Sequence, residues 1–445
     1  MTDDSGTGRA MPALIALAVG GFAIGTGEFA IMGILPGVAS NLSVSIPTAG
    51  HLISAYALGV VVGAPVLIAL STRLSRKTTL VALMAAFAVG NALSAISPGY
   101  HWLLVTRFLS GLPHGAYFGV GAVVAGGLVE PARRTRAMAM MFAGLTISNI
   151  IGVPLSTFMG QHLGWRPVFA TVAGIGALAA ISVLVAVPSA KVSAAPLRMG
   201  AELRALRRPL VWLALLTATL GGASLFTVYS YIAPMLTRVS GYAPSSVTLL
   251  LVLFGIGMTT GNVVGARLVD RALMPALYSF LAILALVSAL LILTVHNRIA
   301  CAATLFVFAA TTFALAPALQ SRIIAEAGDA PNLASGAIQG AFNVANALGA
   351  WLGGLVIAAG LGYTAPAAVA SALAVCGLAV AVYSGRLERG GRLTATVQLP
   401  SQPAVAQSTP VQPAPVQPAS FQPASTQPAP SRSAPAGESD PAALR

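Results

Sequence analysis

The chain has 445 residues, of which 56% are hydrophobic and 8% charged, with a mean hydropathy of +0.84. Soluble domains carry about 25% charged residues, so a water-coated globule is excluded. The net charge of +13 does not point to nucleic acid, because the basic residues sit in short loops between apolar runs rather than in one patch.

Apolar runs long enough to cross a ~30 Å hydrocarbon core recur along most of the chain. They predict spans at 12–36, 48–70, 79–97, 102–128, 137–160, 167–188, 210–235, 246–268, 273–294, 299–319, 333–359 and 364–384. The first run is too long for a signal-peptide core and is expected to be retained. Loop punctuation falls at Pro98-Gly99, Pro131, Pro167, Pro188, Pro209, Pro244 and Pro331. Abundant glycine (46) and alanine suit closely packed helices in lipid.

Charge placement sets the expected topology. One side holds Arg9, then Arg73, Arg76 and Lys77, then Arg133, Arg134 and Arg136. It continues with Lys191 to Arg208, Arg267 and Arg271, Arg322 and the C-terminal arginines, whereas the other side holds only Arg166, Arg238 and Arg298. The positive-inside rule places both termini in the cytoplasm, which requires an even number of spans. Residues 1–11 are then a cytoplasmic N-terminus, 12–188 a six-helix bundle, 189–209 a basic central loop, and 210–385 a second six-helix bundle. Basic turns at matching places of the two bundles mark a duplicated half. Residues 386–445 form a cytoplasmic tail. From 395 it carries eleven prolines and a Gln-Pro-Ala unit every five residues from Gln412 to Ala429, and is expected to be disordered. The expected fold is therefore all-α and integral to the membrane, with twelve helices in two halves.

Polar residues inside the spans are the candidate chemistry. In span one Glu28 is the acidic residue well inside a span, and in span four Arg107 is its basic counterpart. At ~1.5 Å per residue they lie roughly 12 and roughly 8 Å from the outer end. An intramembrane charge is a functional hypothesis by default, here a titratable carboxylate beside an arginine. The alternative is an ion pair that merely holds two helices. Helical spacing puts Arg107, Gly111, His114 and Phe118 on one face of span four, with Tyr117 beside them. His114 is either a second proton carrier or a hydrogen bond to a neighbouring helix. Span five carries Thr146, Asn149, Gly152 and Ser156, with Pro154 interrupting its hydrogen-bond ladder. Span seven offers Tyr229, Tyr231 and Pro234, and span eleven Gln339, Asn343 and Asn346 at i, i+4, i+7. These residues either line a polar substrate cavity or serve as interhelical glue and an interfacial aromatic belt. Cys301 and Cys376 read as apolar packing residues. A nucleotide-binding Gly-Lys-Ser/Thr loop, paired carboxylates and a metal-spaced His/Cys cluster are all missing, so the expectation is a non-enzyme with no cofactor and no metal, driven by an ion gradient.

Several stretches carry a more specific resemblance: GTGEFAIMGILPGVA, HLISAYALGVVVGAP, TRFLSGLPHGAYFGVGAVVA, GLTISNIIGVPLST with GWRPVF, and AFNVANALGAWLGG. Over about residues 12–385 the chain resembles the twelve-spanner drug:proton antiporter branch of the major facilitator superfamily. Within it the similarity is to the arabinose-efflux-permease group (AraJ- and YdhP-like), close to chloramphenicol-efflux proteins. The resemblance implies that Arg107 is the helix-four arginine of proton coupling and Glu28 the acid of the helix-one motif. It implies that Gly144, Gly152 and Pro154 form the antiporter motif, whose small residues allow close packing against the other half. Arg73, Arg76 and Lys77 match the cytoplasmic gate loop, with Thr72 in place of its usual Asp and Ser75 in place of its central Gly. Leu268, Asp270 and Arg271 match the second copy. The implied protein is a bacterial inner-membrane exporter, expected to be a monomer, that exchanges protons for a small amphipathic drug or metabolite by alternating access. The alternatives are a sugar or nucleoside permease, or a transporter-like membrane sensor.

Overall fold

The computed structural model describes residues 5–71, 74–189, 207–327 and 331–397. They form twelve helices long and apolar enough to cross a membrane. In chain order these are α1 (Ser5–Asn41), α2 (Ile46–Ser71), α3 (Arg76–Ala95), α4 (Tyr100–Gly127), α5 (Arg134–Leu163) and α6 (Trp165–Ala186). The second half is α7 (Pro209–Tyr229), α8 (Pro244–Arg271), α9 (Leu273–Thr294), α10 (Arg298–Ala327), α11 (Pro331–Ala358) and α12 (Ala365–Val397). Helices are the expected solution, because each satisfies its own backbone groups where no water is at hand. After α7 a break at Ser230 and Tyr231 leads into a short continuation, Ile232–Arg238. Pro234 supplies no N–H for the Ser230 carbonyl one turn earlier, which accounts for a bend there.

The number and order of helices agree with the hydropathy reading, but several helices run past the apolar stretches. Span ten, expected at 299–319, continues to Ala327, and span twelve, expected at 364–384, continues to Val397. A helix does not end where its apolar stretch ends, and hydropathy reports only the latter. The central segment lies outside the described residues from 190 to 206, as do Thr72, Arg73 and the tail from 398.

Short turns alternate the helix directions, which gathers the ends into two sets. We call the end holding the start of α1 the basic end and the other the opposite end. Hydrogen bonds tie each set together. At the opposite end Arg166 donates to Asn41 at 2.9 Å and to the Ser97 carbonyl at 3.0 Å, joining α1, α3 and α6. At the basic end Arg208 donates to the Glu326 carbonyl at 3.1 Å.

The two halves repeat each other's packing. The backbone of α4 lies where a Cβ on Gly59 or Gly63 of α2 would sit. The backbone of α10 stands in the same relation to Gly261 and Gly265 of α8. Between halves, α2 packs on α11 and α5 on α8, which are symmetric pairings of a duplicated unit. From mid-height toward the opposite end the halves meet directly. Phe29 stacks on Phe226 at 6.3 Å between centroids, and Gln161 donates to the Pro244 carbonyl at 2.6 Å.

Candidate functional site

Glu28 lies at mid-height of α1, only 2% exposed, and faces the second half of the molecule. Its Oε1 accepts a 2.9 Å hydrogen bond from Asn346 Nδ2 of α11. Its Oε2 is 3.9 Å from His114 Nδ1 of α4. The same imidazole nitrogen lies 3.3 Å from the hydroxyl of Tyr56 on α2, and His114 Nε2 lies 3.2 Å from Gln339 Nε2 on α11. Because Gln339 presents its amide nitrogen, the imidazole accepts at Nε2 and carries its proton on Nδ1, toward Glu28 and Tyr56. Two titratable groups of the first half are therefore each bonded to one face of one helix of the second.

Arg107 is fully buried beside this cluster, but it does not grip the carboxylate. Its Nη1 donates to the Gly27 carbonyl at 2.9 Å, and no ion pair joins it to Glu28 among the described residues. Glu28 and Arg107, placed at similar depth by the sequence, are linked through the Gly27 peptide, because Glu28 turns toward α11. The guanidinium carbon sits 4.3 Å from the Tyr56 ring centroid and 5.5 Å from that of Phe169. Nε and Nη2 have no hydrogen-bond partner, and these aromatic faces take up the charge instead.

Of the three amides on α11, Asn343 lies between the two that reach across. Its Nδ2 donates to the Gln339 carbonyl at 3.0 Å, which leaves its buried Oδ1 without a partner. Asn149 of α5 is arranged alike, donating to the Leu145 carbonyl at 3.0 Å with Oδ1 unpartnered. A small gap between α5, α8 and α10 touches Asn149, Thr146, Thr259 and Asn262. A larger groove of about 390 Å³ runs along the seam of α1 and α5, lined by apolar residues such as Ile15, Val19, Phe22 and Ile147.

The aromatic candidates divide. Phe118 stacks on Phe142 at 5.0 Å and lies 5.3 Å from the His114 ring, on the face expected for it. Tyr229 stacks on Phe254 at 4.7 Å. Tyr117 and Tyr231, expected to line the substrate cavity, are engaged elsewhere. Tyr117 donates to the Leu17 carbonyl at 3.0 Å and packs over Gly20 inside the first half, since one residue turns it by about 100° from the His114 face. Tyr231, in the break after α7, donates to the Ala350 carbonyl at 2.7 Å and packs on Gly50 and Gly354, so it plugs the seam between α2 and α11.

Helix α5 contains a π-turn at Ser148–Gly152 just before Pro154. Its glycines were expected to pack against the other half, yet Gly144 meets the backbone of Ala18 and Phe22, and Gly152 meets Thr26, all on α1 of the same half. The close approach to the other half is made by Gly255 of α8, where an added Cβ would lie 2.6 Å from the Asn149 carbonyl oxygen. That glycine and Tyr56 escaped the sequence reading. Only the fold shows which helix each faces.

Of the gate residues, Arg73 lies outside the described residues. Arg76 and Lys77 are half-buried at the start of α3, and Asp270 and Arg271 are exposed at the end of α8. A second feature of the basic end was missed. Arg322, read as a loop residue, is 5% exposed and its Nη1 bridges Glu326 at 2.8 Å and Glu388 at 2.7 Å.

Residues 17–353 match the family described as Major Facilitator Superfamily. The chain is 45% identical over 351 residues to the Inner membrane transport protein YdhP of Escherichia coli strain K12, covering 79% of this chain and 90% of that one. It is 36% identical to the Putative transporter AraJ of the same strain, over 84% of this chain and 95% of that one. It is 35% identical to a Chloramphenicol resistance protein of Streptomyces lividans, over 79% and 89%. Among solved structures, a bacterial homologue of the human lysosomal transporter Spinster, inward-facing and occupied, superimposes with a TM-score of 0.68 at 16% identity, covering 84% of this chain and 96% of that one.

Proposed function

Because this chain belongs to the major facilitator superfamily and is a multi-pass membrane transporter, we propose that it is a proton-driven exporter in which Glu28 carries the coupling proton. The observation that carries the proposal is the position of Glu28. It is a buried carboxylate at the junction of the halves, hydrogen-bonded to the second half through Asn346 and close to His114 and Arg107 of its own half. A group placed there is exposed alternately to the two sides as the halves rock. His114 is the second protonatable group, and Arg107 supports the ionised carboxylate from one residue away. The positive-inside rule assigns the basic end, with both termini, to the cytoplasm of a bacterial inner membrane.

The cargo we propose is a small amphipathic molecule, exported by a single chain that contains both halves. The apolar groove along α1 and α5 suits its body, and the unpartnered oxygens of Asn149 and Asn343 suit hydrogen-bond donors on its head. The same amides favour a hydroxyl-rich sugar as the second reading. The relative named for chloramphenicol resistance makes that compound the first probe. In proteoliposomes with an imposed pH gradient, wild-type protein should drive uptake of labelled chloramphenicol or of a sugar from a panel. Glu28→Gln should abolish the gradient-driven part. Gradient-driven flux at the wild-type rate in Glu28→Gln would remove Glu28 from the role.

A further inference from the structure

The amides of α11 reach beyond the coupling reading. They were expected to line the substrate cavity, yet Gln339 and Asn346 spend their side-chain N–H groups on His114 and Glu28 across the two halves. They stand seven residues apart, two turns of one helix face, so a single rigid helix holds both contacts.

We propose that Gln339 and Asn346 are positioning residues forming a proton-sensitive clasp, which locks the empty, deprotonated carrier in the conformation seen here. The proposal rests on the reading of Glu28 as the proton carrier. An ionised Glu28 accepts a charge-assisted hydrogen bond from Asn346, the stronger class of such bonds. Protonation neutralises that acceptor and weakens the bond. Protonation of His114 is not needed for release, because a protonated Nε2 donates to the Gln339 carboxamide oxygen once that amide turns over, so the second bond persists. The titration of Glu28 alone loosens the clasp. The other groups around Glu28 do not reverse this sign. Arg107 on α4, Tyr56 on α2 and Tyr229 on α7 are groups whose ordinary titrations lie above about pH 9.

The lock has a use in exchange transport. A carrier that reorients empty and deprotonated dissipates no gradient productively and exports nothing. A clasp present only in that state forbids the step, whereas the protonated carrier is free to return. Asn343 lies between the two bonds with its carboxamide oxygen unpartnered. A substrate donor bound there would sit between the two bonds and push α11 away from His114 and Glu28, releasing the loaded carrier.

The test uses full-length protein in nanodiscs with Cys301→Ala and Cys376→Ala, spin-labelled after Arg136→Cys and Arg267→Cys. These two positions are exposed at the basic end, on α5 and α8. Electron–electron distances are recorded without substrate from about pH 5.5 to about pH 9. In wild type the short basic-end distance should gain at low pH, changing the ratio of the two conformations by about tenfold, the worth of one charge-assisted bond. Asn346→Leu and Gln339→Leu should each show the low-pH ratio already at high pH. Asn346→Asp should move the midpoint upward, because two facing carboxylates share a proton, an effect that a packing role would not produce. A wild-type ratio independent of pH overturns the clasp. A shift lost in Glu28→Gln but unchanged in both leucine variants also overturns it, while leaving Glu28 as the proton site. A shift that survives Glu28→Gln removes the underlying reading as well.

Discussion

Arg107 illustrates how a buried cation is held without a salt bridge. A guanidinium is planar, carries five donors and stacks on rings, so a backbone carbonyl and two aromatic faces can hold it. Lysine has neither the plane nor the reach. Arg107→Lys should therefore leave the protein folded and lower gradient-driven transport at least tenfold, checked by size-exclusion profile and proteoliposome flux. Arg107 and Glu28 were both legible as intramembrane charges, because their cost in hydrocarbon marks them in any apolar run. Their partners were not. Glu28 finds Asn346 over three hundred positions away, and no periodicity along either helix encodes which amide of Gln339, Asn343 and Asn346 points at a carboxylate.

At the scale of the helix, small residues decide which pairs approach closely. Gly255 lets the backbones of α8 and α5 meet at Asn149, so a side chain there must push the halves apart. Gly255→Val should impair transport at least tenfold and cost about 1–3 kcal/mol of stability, seen as a lowered unfolding temperature in detergent. Gly174→Ala, where an added Cβ meets nothing within 4 Å, serves as the neutral control. Helix number and order were readable, since each crossing needs its own run of apolar residues. Helix ends and glycine partners were not, because a glycine's role depends on the neighbour it faces. The helix-five glycines thus turn to α1, whereas the contact between halves is made by a glycine of α8.

For the whole molecule, the proposed orientation rests on charge, and charge also ties the ends. The concentration of arginine at one end predicts that a fluorescent protein fused to the C-terminus will fold and fluoresce, and that an alkaline phosphatase fusion there will be inactive. At that end the Arg322 cluster joins α10 to α12, with Ser384 accepting a further bond from Nη2 at 3.2 Å. Arg322→Ala removes the cation shared by two largely buried carboxylates and should cost about 3 kcal/mol. Arg322→Lys should retain a good part of it, and thermal unfolding of both variants measures the difference. Basic turns at matching places suggest a duplicated half in the sequence, but the pairing of α2 with α11 and α5 with α8 emerges only when the halves face each other.

The π-turn of α5 has an evolutionary consequence. Such a turn is a single inserted residue absorbed by a helix, so the segments before and after it keep the wheel positions they would have without it. Removing one residue from a transmembrane helix ordinarily rotates everything downstream by about 100° and buries the wrong face. Here Ile151, which is 54% exposed, can be deleted while Gly144 and Gly152 both still face α1. A chain lacking Ile151 is therefore expected to fold, which makes this the point of α5 where a one-residue length change would be tolerated.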